Sequence, residues 1–265
     1  GRGFANYVES SIGTPREQAE IHVKADGDID LVIGTQPSGQ GHETTFAQVA
    51  AEWLGVSVET VTVIVGDTDI VKVGGGSHSG RSMRMAGTVI VKAADELIDK
   101  GKRLAAFVLE AAETDIEFSG ANFSIKGTDR EIGLFELAKT LSERSDVPEA
   151  LAGGLSVIKD NIMDTPVFPN GCHVCEIEID PDSGAYDVVR YTTIDDVGRA
   201  INPLIVDGQT HGGIVQGAGE ALGELCAIDE HGQPLAGSFM DYQMPRADEY
   251  PSFVTALNEV PSPTN

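Results

Sequence analysis

Alternating and helix-spaced apolar positions divide the first part of the chain into short elements. Apolar and polar side chains alternate over residues 21–25 and 29–33, which predicts two strands joined by a hairpin turn. Apolar residues recur with helical spacing over residues 46–54 and again over residues 83–112. Residues 59–65 are rich in β-branched side chains and are predicted to form a buried strand. Each predicted helix follows a Gly-rich segment.

The second part of the chain begins after a stretch with little periodicity. Residues 145–170 contain several Pro and Gly residues and are predicted to hold the boundary between two subdomains. Alternation over residues 172–179 and 186–194, around an Asp-Pro-Asp-Ser-Gly turn, predicts another hairpin. The Asn-Pro pair at 202–203 predicts the start of a helix, and residues 225–228 are predicted to form a further strand.

Both parts follow the same order of hairpin, Gly-containing segment and helix. This order predicts the α+β fold class, with two similar subdomains of hairpins and mixed sheets flanked by helices. We assign residues 1–150 to the first subdomain and residues 151–265 to the second.

Composition narrows the possible partners and location of the protein. The chain carries 18 Lys and Arg against 42 Asp and Glu, a formal net charge of −24. Such a surface repels phosphate, which argues against binding nucleic acid. No apolar run reaches the roughly 18 residues that span a membrane, and the N-terminal residues lack the apolar core of a signal peptide. Three cysteines are too few for a disulfide framework, so a cytoplasmic location is expected.

The first candidate binding segment is the Gly-rich stretch at residues 38–45, which leads into a predicted helix. A helix N-terminus offers unpaired N–H groups and partial positive charge, and glycines let a phosphate approach the backbone. The stretch is therefore either an anion cradle or an ordinary turn in which Thr44 caps the helix. It is not a P-loop, because no Gly-Lys-Ser/Thr sequence follows it.

The second candidate segment, residues 76–84, has the same Gly-rich character and adds Arg81 and Arg84. Arginine forms bidentate hydrogen bonds with phosphate, so the pair could bind an anionic ligand. The alternative is that both arginines pair with surface carboxylates in this acidic chain. Two such loops, each opening a helix, suit a ligand that carries more than one anionic group.

Three features of the second part have competing interpretations. The predicted helix after Asn202 contains five glycines between residues 208 and 219, each costing about 1 kcal/mol relative to Ala, which suggests close packing of backbone or ligand. The Asp pair at 195–196 is either a metal pair or a strand end that caps a turn. Cys172 and Cys175 lie three residues apart on a predicted strand, so they point to opposite faces and are expected to be structural.

Taken together, these segments resemble the large molybdopterin-binding subunit of the molybdenum hydroxylases. This superfamily contains xanthine dehydrogenase, aldehyde oxidase and aerobic carbon monoxide dehydrogenase. No single motif is specific, but their combination is. The resemblance is carried by residues 34–44, 66–69, 79–82, 208–217, 237–242 and 261–265.

The resemblance implies two α+β subdomains that grip a molybdopterin cofactor with molybdenum, in bacterial members usually the cytosine dinucleotide form. It assigns cofactor-binding roles to seven residues: Gln40, Gly41 and His42 at the phosphate or pterin portion, Gly80, Arg81 and Ser82 along the approach to the metal, and Gln209 at the pterin. These roles agree with the interpretation of the two loops as anion cradles.

The resemblance also implies an oxidoreductase that inserts water-derived oxygen at a C–H centre or oxidises CO. The expected partners are the remainder of the large subunit, an FAD subunit and an iron–sulfur subunit with 2Fe-2S clusters, in a dimer of heterotrimers. The family's general base is a Glu that follows the segment ending here at Asn265. We therefore assign no catalytic residue or metal ligand within the chain, and expect a truncated second subdomain and an inactive isolated chain. The alternative is a non-catalytic nucleotide- or cofactor-binding module.

Overall fold

The computed structural model describes residues 1–263, so the last two residues of the 261–265 motif lie outside the described part. Its contacts form two units: a smaller unit of Gly1–Glu9 with Phe168–Ser262, and a larger unit built from Ser10–Val167. In chain order the strands and helices are β1 (Arg2–Val8), β2 (Arg16–Val23), β3 (Ile29–Ile33), α1 (His42–Leu54), β4 (Val61–Ile64), α2 (Ser82–Leu109), β5 (Ile116–Ser119), β6 (Asn122–Ile125), β7 (Glu131–Gly133), α3 (Leu134–Glu143), β8 (Ser156–Ile162), β9 (Asn170–Ile179), β10 (Tyr186–Asp196), α4 (Pro203–Leu222) and β11 (Val254–Leu257). This mixture confirms the predicted α+β class.

The larger unit is organised around a four-stranded mixed sheet in the order β4-β3-β2-β8. β2 pairs antiparallel with β3 and β8, whereas β3 and β4 are parallel. Alternate residues of β2 from Glu17 to Val23 are buried, and the apolar faces of α1 and α2 belong to the same core. The predicted hairpin and the two predicted helices are therefore confirmed in this unit.

Helix α2 runs without a break through Gly101, although glycine has a low helix propensity. The aromatic ring of Phe123, on the small sheet β5-β6-β7, packs directly against this glycine. A Cβ atom at residue 101 would lie 2.3 Å from Phe123 Cζ. The glycine thus gives the ring access to the helix backbone, which explains why this position lacks a side chain.

The smaller unit contains a sheet in the order β1-β9-β10-β11 and the Gly-rich helix α4. The predicted β9–β10 hairpin is confirmed, as is the helix start, where the Asn202 side chain accepts a hydrogen bond from Ile205 N at 3.2 Å. A Cβ atom added at four of the α4 glycines (208, 212, 213 and 217) would meet nothing within 4 Å. Within residues 1–263, no helix is both long and apolar enough to cross a membrane.

Three structural details differ from the sequence-based expectation. Strand β8 lies inside the stretch 145–170, in which the sequence shows little periodicity. The N-terminal strand β1 belongs to the smaller unit because it pairs with β9. Residues 225–228 form only an isolated bridge from Ile228 to Pro234. Whether each segment forms a strand depends on its hydrogen-bonding partner, and local sequence does not reveal that partner: β8 pairs with β2 and β1 with β9, whereas residues 225–228 find no partner strand in the described part of the chain.

Candidate functional site

The two Gly-rich segments of the larger unit lie side by side. We call residues 34–41 the first Gly loop and residues 74–80 the second Gly loop. Their backbones are so close that a Cβ on Gly34 would lie 2.1 Å from Gly74 Cα. Ser77 Oγ in the second loop donates to Gln36 O at 2.6 Å and lies 3.2 Å from His42 Nδ1. From the sequence, the two loops were expected to suit one ligand with more than one anionic group. The structure places the two loops next to each other.

Each Gly loop leads into the N-terminus of a long helix. α1 begins at His42 after Gly41, whose φ of 72° is in the left-handed region that favours glycine. Thr44, the capping residue of the alternative interpretation, lies inside the helix instead. α2 begins at Ser82 after Arg81, and neither helix has a side-chain cap at its N-terminus. Both helices thus direct the positive ends of their dipoles toward the Gly loops.

His42 occupies the junction between the first Gly loop and α1. Its side chain is buried and its ring stacks on Phe46 with 4.8 Å between ring centroids. Burial lowers the pKa of His42 below its ordinary value of 6.5, although Glu43 and a backbone hydrogen bond to Thr35 oppose the shift. The imidazole is therefore neutral at pH 7 and acts as a packed, hydrogen-bonding group at this junction.

The guanidinium groups of Arg81 and Arg84 in the second segment both contact groups of this chain. Arg81 is completely buried and forms an ion pair with the equally buried Glu17 at 2.9 Å. Arg84 donates from its guanidinium to the backbone oxygens of Ser11 at 3.1 Å and Thr165 at 2.6 Å. Both guanidinium groups therefore bind their own chain, and neither pairs with a surface carboxylate.

The other sequence-predicted residues lie at exposed or half-buried positions. Gln40 is half-buried and its Oε1 accepts from Ser38 N at 2.5 Å, within the first Gly loop. Gly80 and Ser82 flank Arg81 at the start of α2. Gln209 belongs to the smaller unit, where it lies exposed on α4 one turn before Gly213.

The smaller unit contains a hydrogen-bonded network that the sequence did not reveal. Asp195 is buried and accepts from Tyr7 at 2.8 Å and Thr193 at 2.8 Å, and its Oδ1 lies 3.1 Å from His173 Nε2. Burial and the adjacent Asp195 raise the pKa of Tyr7. Tyr7 could not have been found by spacing, because it reaches Asp195 only through the β1–β9–β10 pairing. A cleft of about 260 Å³ opens beside these residues.

The structure supports the interpretation of the acidic pair as a strand end that caps a turn. Asp196 accepts from Gly198 N and Val260 N, so it organises the turn after β10. Cys172 and Cys175 both lie on β9 and are free thiols. Among residues 1–263, no group of three or more His, Cys, Asp or Glu side chains is arranged to hold a metal ion.

Residues 1–251 match the molybdopterin cofactor-binding domain family, and the chain belongs to it. It corresponds to the cofactor-binding portion of the large subunit of a molybdenum hydroxylase, the class of oxidoreductase that the motifs indicated.

Two relatives illustrate this membership at the level of sequence. The chain is 38% identical to the 6-hydroxypseudooxynicotine dehydrogenase complex subunit gamma of Paenarthrobacter nicotinovorans, over 94% of this chain and 32% of that protein. It is 36% identical to the carbon monoxide dehydrogenase large chain of Afipia carboxidovorans, over 93% of this chain and 30% of that protein.

A crystal structure of a Cu,Mo-CO dehydrogenase in its carbon monoxide reduced state has the same fold. It superimposes with a TM-score of 0.87 at 32% identity, covering 100% of this chain and 34% of that one. The chain thus spans about a third of the length of the relatives it matches.

Proposed function

We propose that the two Gly loops, with the N-termini of α1 and α2, bind the phosphate-bearing part of a molybdopterin cofactor. The observation that carries this proposal is the convergence of both loops at the Ser77–Gln36 hydrogen bond. The residues fit such a group. The loop backbones are not covered by side chains at Gly39 and Gly76, where a Cβ would meet nothing within 4 Å. Two uncapped helix N-termini supply donors and positive charge in an otherwise acidic chain.

The seven residues assigned from the sequence have different parts in this proposal. Gly41 and Gly80 adopt left-handed φ values of 72° and 60°, which suit glycine and let each loop turn into its helix, while Gln40 and Ser82 are proposed to supply side-chain hydrogen bonds. His42 packs at the start of α1, and the buried Arg81 contributes by its backbone position rather than by its guanidinium.

For the smaller unit, we propose that Gln209 hydrogen-bonds the pterin. Gly212 and Gly213 follow it by three and four residues, so they share its exposed face of α4. The open space at both glycines supports close approach of a flat group to this face.

The proposed reaction of the full-length subunit is oxygen insertion from water at a C–H centre, or oxidation of CO. When bound, the cofactor supplies a molybdenum centre that accepts two electrons from the substrate. This chain's residues bind and orient the cofactor, which is proposed to have the cytosine dinucleotide form. Support comes from relatives named as subunits of a dehydrogenase complex and of carbon monoxide dehydrogenase.

The proposed partners are the rest of the large subunit and chains carrying FAD and 2Fe-2S clusters, in a dimer of heterotrimers in the cytoplasm. The three cysteines of this chain are too few to hold such clusters, which is consistent with electrons passing to other chains. That residues 1–265 alone turn over no substrate stays a prediction.

Metal and nucleotide analysis of the purified full-length subunit tests the proposal. We expect molybdenum and acid-released cytidine nucleotide in the wild type, and a several-fold loss of both in Gln40→Ala. The matched control is Gln18→Ala, which removes a half-buried glutamine that binds Asp160 on the same sheet, and it should retain both. Bound nucleotide without molybdenum would support the non-catalytic module instead. Absence of both from the wild type would refute the proposal.

A further inference from the structure

A buried ion pair connects the two Gly loops to strand β2. Glu17 and Arg81 are each 0% exposed and lie 2.9 Å apart. The same carboxylate oxygen of Glu17 accepts from Thr35 Oγ1 at 2.6 Å and from Gly75 N at 3.3 Å. One carboxylate therefore binds one residue in each Gly loop as well as the arginine that precedes α2.

The guanidinium group of Arg81 extends the same connection. A guanidinium has five N–H donors, and all five are used. The acceptors are Thr14 O at 3.0 Å, Thr35 Oγ1 at 3.3 Å, Gly76 O at 2.5 Å, Arg16 O at 3.2 Å and Glu17 Oε2 at 2.9 Å. The side chain is consequently fixed between β2 and both Gly loops, with no donor left for a ligand.

Stability alone is a weak reason for such a pair. Removing two charges from water is costly, and replacing a buried ion pair by apolar residues of similar size is often neutral or stabilising. Seven of the fifteen residues in the two Gly loops are glycines, which contribute no side-chain packing to hold the loops. Directional hydrogen bonds from a fixed carboxylate and a fixed guanidinium can hold such backbones in one arrangement.

We propose that Glu17 and Arg81 are a positioning pair that holds the two Gly loops in the arrangement able to bind the cofactor. Glu17 touches no ligand in this proposal and acts through Thr35, Gly75 and Arg81. The proposal rests on the proposed function of the loops, but its structural part concerns loop order alone and can be tested separately.

The test uses three variants of the full-length subunit. Glu17→Gln keeps the shape but leaves the Arg81 charge unpaired. The double variant Glu17→Leu with Arg81→Met removes both charges at similar volume, so the chain can fold without a buried lone charge. The control, Asp160→Asn, breaks the exposed Arg16–Asp160 pair of 2.7 Å on the same sheet.

Hydrogen–deuterium exchange of the cofactor-free subunit gives a readout that does not depend on activity. We expect amides of residues 74–80 to exchange at least about tenfold faster in the double variant, which loses the hydrogen bonds from Gly75 N to Glu17 and from Arg81 to Gly76 O. Glu17→Gln should show a smaller increase, because its neutral amide oxygen accepts more weakly than a carboxylate. Residues 85–97 of α2 should exchange in the double variant as in the wild type. Molybdenum and nucleotide content should fall several-fold in both Glu17 variants and remain unchanged in Asp160→Asn.

Two results would overturn the positioning role. One is a folded double variant in which the amides of residues 74–80 exchange at the same rates as in the wild type. The other is uniformly faster exchange through α2 as well, which would mean that the pair only stabilises the fold. If the wild type contains no molybdenum or nucleotide, the proposed function fails, but local exchange in the loops still decides whether the pair orders them.

Discussion

The close approach of the two Gly loops gives a quantitative prediction for Gly34→Ala. The added Cβ would lie 2.1 Å from Gly74 Cα and 2.4 Å from Val73 O, and both are backbone atoms that cannot rotate away. The loops must separate by about 1.4 Å to reach an ordinary carbon–carbon contact of about 3.5 Å. Overpacking of this kind costs about 3 kcal/mol at the upper end of its usual range. Reduced freedom of the unfolded chain offsets up to about 1 kcal/mol, which leaves a net loss of about 2 kcal/mol.

The single tryptophan of the chain provides the assay for this substitution. Trp53 lies on α1 in the larger unit, where its indole donates to Asp95 Oδ1 at 2.7 Å. Its fluorescence in a urea titration should show a midpoint about 1 M lower in Gly34→Ala, for a denaturant slope of about 2 kcal/mol/M. Gly133→Ala is the control in the same unit, because its Cβ would meet Asn122 Oδ1 at an ordinary 3.4 Å. Equal midpoints for Gly34→Ala, Gly133→Ala and the wild type would refute the reasoning.

Three further predictions concern single residues. Burial lowers the pKa of His42 in the folded state, so the His42 imidazole binds a proton at a higher pH in the unfolded chain than in the folded one. The free energy of unfolding should therefore fall as the pH drops below about 6.5. In urea titrations His42→Phe should weaken this pH dependence, and identical pH profiles for variant and wild type would contradict the prediction. Gly101→Ala should lower the urea midpoint despite a helix-propensity gain of about 1 kcal/mol, because Phe123 must move; a raised midpoint would contradict this. Gly213→Ala should raise the midpoint, because its Cβ enters open space and Ala favours the helix by about 1 kcal/mol, but it should reduce bound molybdenum in the full-length subunit by covering the Gln209 face; full molybdenum content would count against that face as a binding surface.

Local patterns predicted the elements whose partners are near in sequence. The β2–β3 and β9–β10 hairpins and helices α1 and α4 follow from alternation, helical spacing and capping residues. Strands β1 and β8 escaped prediction because their partners are distant: β1 pairs with β9 and β8 pairs with β2. Such long-range pairing has no signature in a short window of sequence.

The candidate site could be predicted only in part, because its local motifs are visible in the sequence but its long-range contacts are not. Glycines before a helix indicate an anion cradle wherever they occur, but no spacing rule shows that the first and second Gly loops meet. Arg81 shows most clearly what the sequence cannot predict. An arginine in a Gly-rich loop suggests a phosphate ligand, whereas the Arg81 guanidinium forms an ion pair with a buried carboxylate 64 positions away in the chain. Glu17 did carry a usable signal, because it continues the inward-facing alternation of β2 as a charged residue among apolar ones.

The pairing of β1 with β9 has a consequence for the order of events during protein synthesis. β1 leaves the ribosome before the larger unit, and β9 leaves after it. At about 5–20 residues per second, β1 waits on the order of ten seconds for its neighbour in the sheet. The larger unit can fold in that interval as an insertion between the two halves of the smaller one. A nascent-chain pulse experiment should therefore find β1 accessible to protease until β9 has emerged.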